Sequence, residues 1–445
     1  MAIPQLTLPL LAGMTPEEHE VKIVEEVHNE IIDFDQEVDV VGITIMTQTA
    51  IRGYEIANEF RKRGKIVIFG GIHATVLPQE AIMYADAVVI GEAENGLWEQ
   101  VLLDAQTYSL KKYYKLQKFP ELGNYIAPKR DLIKTSAGKF GIAPVETGRG
   151  CPYECDFCTV SRSFGTKQRL KSIDLIIKDI ESITEKSIFF IDDNITISKV
   201  FAKELFRRMI PLKKTWVGQV SIKIAKDKEL MKLARQSGCR GLLIGFESMT
   251  ETGICKYNKT FSSFEENVEA VKKLQDHGIL TMASFIFGLD DDNIQVFDNT
   301  FNFIEKARPA FLQACTLTPY PGTQVFERMK RENRILTDDW SQFDAKKVII
   351  SPKSMTTEEL QYGYTHIKDQ TYSYRSILKR SVPHILSGAT GSLLYFSLNN
   401  GARKWHKSGL TSALFRNPED VTVDFDVSKY VNPIREKVSH ELLAG

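Results

Sequence analysis

The sequence has too little cysteine to be a disulfide scaffold. Its 445 residues carry six cysteines, Cys151, Cys155, Cys158, Cys239, Cys255 and Cys315, too few and too unevenly spread to staple a small secreted fold. Net charge is also missing. Fifty-seven Lys and Arg balance 57 Asp and Glu, so no overall field draws the chain onto nucleic acid or anionic lipid. No apolar run approaches the ~20 residues of a membrane-spanning helix. The opening MAIPQLTLPLLAG has no Lys or Arg before Lys22 and so lacks the charged start of a secretory signal. Solenoid-length repeats and low-complexity tracts are absent as well. The expectation is a cytoplasmic protein without a nucleic-acid partner.

What remains is ordinary globular material: 43% apolar and 26% charged residues, enough chain for two or three domains at roughly 150 residues each. Strand-like and helix-like segments alternate, the pattern of α/β layers with parallel strands. In the first third, VDVVGITIM (38–46), KIVIFGG (65–71) and ADAVVIGE (85–92) are apolar runs ending in Gly or small residues, as strands buried on both faces should be. They predict a doubly wound, flavodoxin-like sheet. EVKIVEE (20–26) is a further strand candidate. A complete sheet of this kind opens with one more strand, so either the chain begins late or that strand is absent. Residues 103–136 read as an irregular connector. A second series then begins, with strands expected at 142–148, 187–192, 216–222, 240–247, 281–288 and 310–318 and helices between them. Six strands cannot close an eight-stranded barrel, which predicts a partial (β/α)6 barrel. The expected domains are 1–135, 136–345 and a helical 346–445.

Three cysteines stand together in ETGRGCPYECDFCTV (146–160), spaced C-x3-C-x2-C directly after the first strand of the second series. Parallel α/β folds place reactive groups in such loops, at the carboxyl ends of strands. Three thiolates can hold three irons of a [4Fe–4S] cubane, which normally takes four cysteines. No fourth cysteine has motif spacing, so one iron is left for an exogenous ligand. A structural zinc site completed by a distant Cys or His is the alternative.

The run Cys151–Cys158, with Phe157 before the last cysteine, resembles the signature of radical S-adenosylmethionine enzymes, and the resemblance extends over about 143–323. It implies a cluster on Cys151, Cys155 and Cys158 with S-adenosylmethionine on the fourth iron. Reductive cleavage would then give a 5′-deoxyadenosyl radical able to attack an unactivated C–H bond. It also implies an electron donor such as flavodoxin or ferredoxin. Asp192, Asp193 and Asn194 stand where the family usually has a Gly-Gly-Glu-like turn, and offer acceptors to the methionine ammonium. Ser221 and Lys223 suit its carboxylate, Glu247 the ribose, and Phe157 with Ile286, Phe287 and Gly288 the adenine. Each polar residue alone could equally be a helix cap or a solvated turn. Cys239, Cys255 and Cys315 read as small buried hydrophobes, and no auxiliary cluster is expected.

The N-terminal strands end in VGITIMT (41–47), FGGIHAT (69–75) and VIGEAE (89–94). Followed by the cysteine triplet and LTPYPGT (317–323), they resemble the cobalamin-binding radical S-adenosylmethionine enzymes, which typically deliver methyl groups to carbon or phosphorus. The resemblance implies a corrinoid near Thr44, Met46, Thr47, Gly70, Gly71, His73, Gly91 and Glu92. No histidine has Asp two positions before it, so the Asp-x-His-x-x-Gly lower-ligand signature is absent. A vestigial N-terminal domain is the rival reading, and His73 could contact the corrin or cap the Gly70-Gly71 turn.

The tail ILSGATGSLLYFSLNNGARKWHK (385–407), with Arg403, Lys404, Trp405 and Lys407, fits a helix over the barrel mouth or a membrane-surface helix admitting a lipid. The expected reaction is radical methyl transfer to a small-molecule substrate, with a lipid or isoprenoid among the classes allowed. The alternatives are cobalamin-independent coupling, cyclisation or rearrangement, and a non-catalytic iron–sulfur or corrinoid carrier.

Overall fold

The computed structural model describes residues 5–26, 30–133, 141–249, 257, 263–386 and 399–404. Two parallel sheets carry the fold. The first runs β1 (Val40–Thr44), β2 (Ile66–Gly70), β3 (Ala87–Ile90), β4 (Tyr113–Lys115), in that spatial order. The three expected strands are present, and each is followed by a helical segment: Ala50–Lys62, Ile72–Val76 and Leu97–Gln106. Among the described residues the order shows no reversal, so β1 is an edge. Glu20–Glu26 is not a strand, which corrects that expectation. The connector holds one strand that its composition hid. β4 is three residues long, with Tyr113 and Lys115 exposed and only Tyr114 buried, its hydroxyl donating to Asp104 at 2.7 Å.

The second sheet contains the six expected strands: β5 (Ile142–Val145), β8 (Ser187–Phe190), β9 (Thr215–Val220), β10 (Cys239–Glu247), β11 (Leu280–Phe287) and β12 (Phe311–Thr316). Neighbours pair in chain order and in parallel. Outward residues such as Ile188, Trp216, Ile244, Phe285 and Leu312 are buried under the intervening helices. Burial of this kind stabilises by roughly 1.5–3 kcal/mol per large side chain. The inward row, including Gln219, Glu247, Ile286 and Cys315, is only partly buried, so the barrel interior is accessible.

Side chains occupy one backbone position on each edge of the open barrel. Arg130 donates to the Pro144 carbonyl on β5 at 2.8 Å, and the Tyr372 hydroxyl donates to Leu312 O and accepts from Leu312 N on β12. A two-residue hairpin that composition gave no sign of, β6 (Gly148–Arg149) against β7 (Arg169–Leu170), brackets the cysteine loop. Beyond the barrel, Thr357–Thr371 and Tyr374–Leu386 are helices. Arg403 lies over the Tyr374 ring at 3.9 Å, packed on protein, while Trp405 and Lys407 lie outside the described residues. No helix among the described residues is long and apolar enough to cross a membrane.

Candidate functional site

The cysteine loop leaves β5 through β6 and turns at Gly150, whose φ of +84° suits glycine. A Cβ there would lie 2.4 Å from the Lys167 carbonyl, so the turn is closely packed. Cys151 N donates to Gly165 O at 3.2 Å and Cys158 N to Cys155 O at 2.9 Å. The loop is tied to the rest of the barrel through Asp156, whose N–H reaches Tyr257 O and whose carbonyl accepts from Val325 N. All three cysteines are half-buried.

Burial pushes the Cys158 thiol up to about 12, and nearby Asp193, Cys155 and Cys151 push the same way, while the Val160 N–H donates to its sulfur. A thiolate at this place therefore needs cations beside it, which ligated irons supply. No three His, Cys, Asp or Glu side chains among the described residues converge on a single ion. A cubane takes one iron per sulfur, so its ligands need no such convergence. The three residues fit a cluster.

The acidic turn after β8 divides its labour. Asp192 accepts from Thr147 N at 3.0 Å and Thr147 Oγ1 at 2.6 Å, and burial pushes its carboxyl up to about 7. Asn194 Oδ1 is taken by the N–H and hydroxyl of Thr196, a correction to its reading as a free acceptor. Asp193 remains. Its carboxylate is solvent-accessible yet crowded by protein, and that desolvation pushes it up to about 6.

Ser221 caps the short helix Ile222–Lys226, and Lys223 stands over the Tyr153 ring of the cysteine loop at 5.2 Å. Glu247 ends β10 at φ +65°, on the inward row. Ile286 is inward and half-buried, but Phe287 points into the core, stacked on Phe297 at 4.8 Å, and so cannot flank a ligand. Gly288 turns at φ +98°, its N–H held by Asp292. The Phe157 ring lies 6.2 Å from that of Tyr257. Cys239 is buried; Cys315 is half-buried on the inward row, its thiol pushed up to about 11 by burial; Cys255 lies outside the described residues.

A cavity of about 2220 Å³ runs along the first sheet, lined mainly by residues of the N-terminal domain, and reaches the barrel at Glu146–Arg149 and Ile191–Asp193. Sites for drug-sized ligands span roughly 300–1,000 Å³, so this one has room for a much larger molecule. Its lining includes Thr44, Met46, Gly70, Gly71, Gly91 and Glu92 from the first sheet, Gly148, Arg149, Asp192 and Asp193 from the barrel, and Asp344 and Lys347. A Cβ at Gly70 or Gly91 would meet nothing within 4 Å, which leaves the cradle a flat macrocycle needs. Gly71, at φ +93°, is crowded instead by Ile45 and Thr44.

His73 and Thr47 are not in the cavity wall. His73 is fully buried, with Nδ1 3.3 Å from Thr47 Oγ1 and Nε2 3.0 Å from Tyr54 OH. Glu80 accepts from Tyr54 and from Trp340 Nε1, both at 2.9 Å, which ties this cluster to the barrel side. Both residues are corrected to internal supports of the cradle, because their polar atoms already have partners.

Comparisons with known proteins fall on these same elements. Family models match at residues 3–99 (B12 binding domain), 145–304 (radical SAM superfamily) and 323–392 (a domain of unknown function). The bacteriochlorophyllide d C-12(1)-methyltransferase of Chlorobaculum tepidum is 32% identical over 351 residues, 77% of this chain and 76% of that protein. The C-8(2)-methyltransferase of the same organism is 30% identical over 401 residues, 85% and 87% of the two chains. In fold, the chain is similar to the radical S-adenosylmethionine methyltransferase TsrM from Kitasatospora setae with cobalamin and a [4Fe–4S] cluster bound. That likeness has a TM-score of 0.65 at 13% identity, over 91% of this chain and 96% of that one.

Proposed function

The chain belongs to the radical S-adenosylmethionine enzymes that carry a B12-binding domain, and from that premise we propose that it moves a methyl group onto an unactivated carbon of a small molecule. Its cofactors are a [4Fe–4S] cluster, S-adenosylmethionine and cobalamin. When bound, they supply the one-electron cleavage of the sulfonium and the transferable methyl. The observation that carries the reading is that the cavity holding the Gly70–Gly91 cradle extends to Asp193, next to Cys158 at the barrel mouth, so the cradle meets the edge of the cysteine site. A methyl carrier and a radical source must both reach the same substrate carbon, and two separate pockets would not serve.

The residues have distinct tasks in this proposal. Cys151, Cys155 and Cys158 hold three irons. Asp193 accepts the methionine ammonium, because Asp192 and Asn194 have their acceptors engaged. Lys223 at the rim faces the carboxylate, Glu247 the ribose, and Ile286 with Phe157 the adenine. Gly70 and Gly91 let the corrin lie against the backbone. The half-buried inward row of the barrel receives the substrate and limits water access to it. A one-electron donor such as flavodoxin or ferredoxin supplies the reducing equivalent.

Both relatives above are methyltransferases, which favours methyl transfer over the cobalamin-independent and carrier alternatives. Anaerobic protein with reconstituted cluster, hydroxocobalamin, reductant and methyl-labelled S-adenosylmethionine tests the reading. A chlorin bearing alkyl side chains is a suitable first acceptor, since the two relatives act on bacteriochlorophyllide d. Release of 5′-deoxyadenosine and label on the corrinoid are expected. No deoxyadenosine and no labelled corrinoid would overturn it.

A further inference from the structure

Two residues before Cys151, one side chain ties the two sheets together. Arg149 donates from NH1 to Glu92 at 2.7 Å and meets Glu94 at 2.6 Å, both on the segment after β3. Its Nε donates to Glu146, at the end of β5, at 2.7 Å. Arg169 on β7 pairs with the same Glu92 and donates to Pro120 O at 2.8 Å; Lys171 pairs with Glu146 at 3.0 Å. Side chains of Glu92, Glu94, Glu146, Arg149 and Arg169 are 10% exposed or less. Charges taken out of water this far are stable only when paired, so moving one carboxylate drags its partners.

Two further observations give the network a direction. Glu92, Glu94, Glu146 and Arg149 all stand in the cavity wall, where a large ligand would press on them. Between Arg149 and Cys151 stands only Gly150, whose turn is packed against the Phe164, Gly165 and Lys167 carbonyls with no room for a Cβ. The same Arg169 donates to Phe164 O at 3.1 Å, so the other side of that turn hangs on Glu92 too.

We propose that Arg149 is a positioning residue through which corrinoid occupancy of the cavity and the geometry of the cysteine loop bias each other. The inference rests on the reading of the cavity as a corrinoid site and adds the route between the two cofactors. A ligand against Gly70 and Gly91 sets the Glu92–Glu94 segment, Arg149 follows its carboxylates, and Cys151 moves with Gly150. Coupling of this kind is reciprocal: a filled cluster site must change corrinoid affinity by the factor by which corrinoid changes cluster affinity.

Hydroxocobalamin is titrated, by its visible spectrum, into cluster-loaded protein and into Cys155→Ala protein, which has no cluster. The expected dissociation constants differ about fivefold or more, within the usual range of such couplings. Glu94→Gln, which keeps the fold's packing and weakens one arm, and Arg149→Lys, which keeps the charge but not the forked geometry, are each expected to bring that ratio close to one. Both residues stand in the cavity wall, so the absolute affinities move with the substitutions, and the readout is the ratio of the two constants within each variant. A wild-type ratio near one, or a ratio that both variants keep, overturns the coupling while leaving the cavity reading intact. No corrinoid binding to any form overturns the cavity reading and the coupling with it.

Discussion

Filling the cradle without disturbing the fold is the sharpest way to separate a cofactor site from a packing defect, and Gly70 permits it. Gly70 ends β2 with an ordinary negative φ, and a Cβ there would meet nothing within 4 Å. Gly70→Val therefore adds three carbons to the cavity wall, the first of them in open space, and its effect on thermal unfolding should stay within about 0.5 kcal/mol. If a corrin lies on that wall, the same carbons overpack the complex at a cost of roughly 1–3 kcal/mol. At about 1.4 kcal/mol per decade, hydroxocobalamin should bind about 5- to 150-fold more weakly. Gly123, which also has open space around it but does not line the cavity, is the control: Gly123→Val should change neither quantity. The assay is a visible-spectrum titration beside calorimetry of the cofactor-free protein. A Gly70→Val protein that binds hydroxocobalamin like wild type would refute the placement of the corrin. So would a loss of affinity matched by an equal loss of unfolding temperature.

Other outcomes follow from single side chains. Cys155→Ala should abolish both the cluster's visible absorbance and S-adenosylmethionine cleavage; retained cleavage would refute the ligand set. His73→Asn should leave the electron paramagnetic resonance of bound cob(II)alamin without change in nitrogen coupling, because the ring faces Tyr54 and Thr47, yet cost about 1–3 kcal/mol of stability through orphaned buried partners, read by urea unfolding. Asp292 holds the Gly288 and Leu289 N–H groups from a fully buried position, and burial pushes its carboxyl from 3.8 to about 7. Its folded-state proton is bound more tightly than in the unfolded chain, so this contribution is complete below about pH 4 and is lost as pH rises through about 7. The loss is up to roughly 4 kcal/mol. Asp292→Asn should flatten that stretch of the stability–pH curve, and an unchanged slope would show that the group titrates normally.

The barrel was the most legible part of the molecule. Its strands bury their outward faces under helices and half-bury their inward ones, so Ile188, Trp216 or Phe285 and their neighbours form largely apolar runs whose expected ends lie within three residues of the observed ones. β4 and the β6–β7 hairpin were not legible, because two or three residues carry no period and Tyr113 and Lys115 face solvent. The cysteine loop was legible because its ligands are adjacent in sequence. Direction was not: nothing in FGGIHAT says that His73 turns inward to Tyr54 while Gly70 faces the cavity, since that depends on a helix and a strand packed from elsewhere. Asp192, Asp193 and Asn194 looked interchangeable until Thr147 and Thr196 engaged two of them. The Arg149 network joins residues 57 positions apart and was out of reach of any spacing rule. Its one trace in the sequence is an arginine set between a buried strand and a metal-type cysteine, a place where a charge must find partners.

The most direct test of the central claim is Mössbauer spectroscopy of anaerobic, iron-57-reconstituted protein before and after addition of S-adenosylmethionine. Three cysteine-held irons and one open iron predict a [4Fe–4S] spectrum in which a quarter of the iron changes its parameters when the sulfonium nucleoside binds. A spectrum with no cubane, or one in which all four irons ignore the addition, would contradict the account.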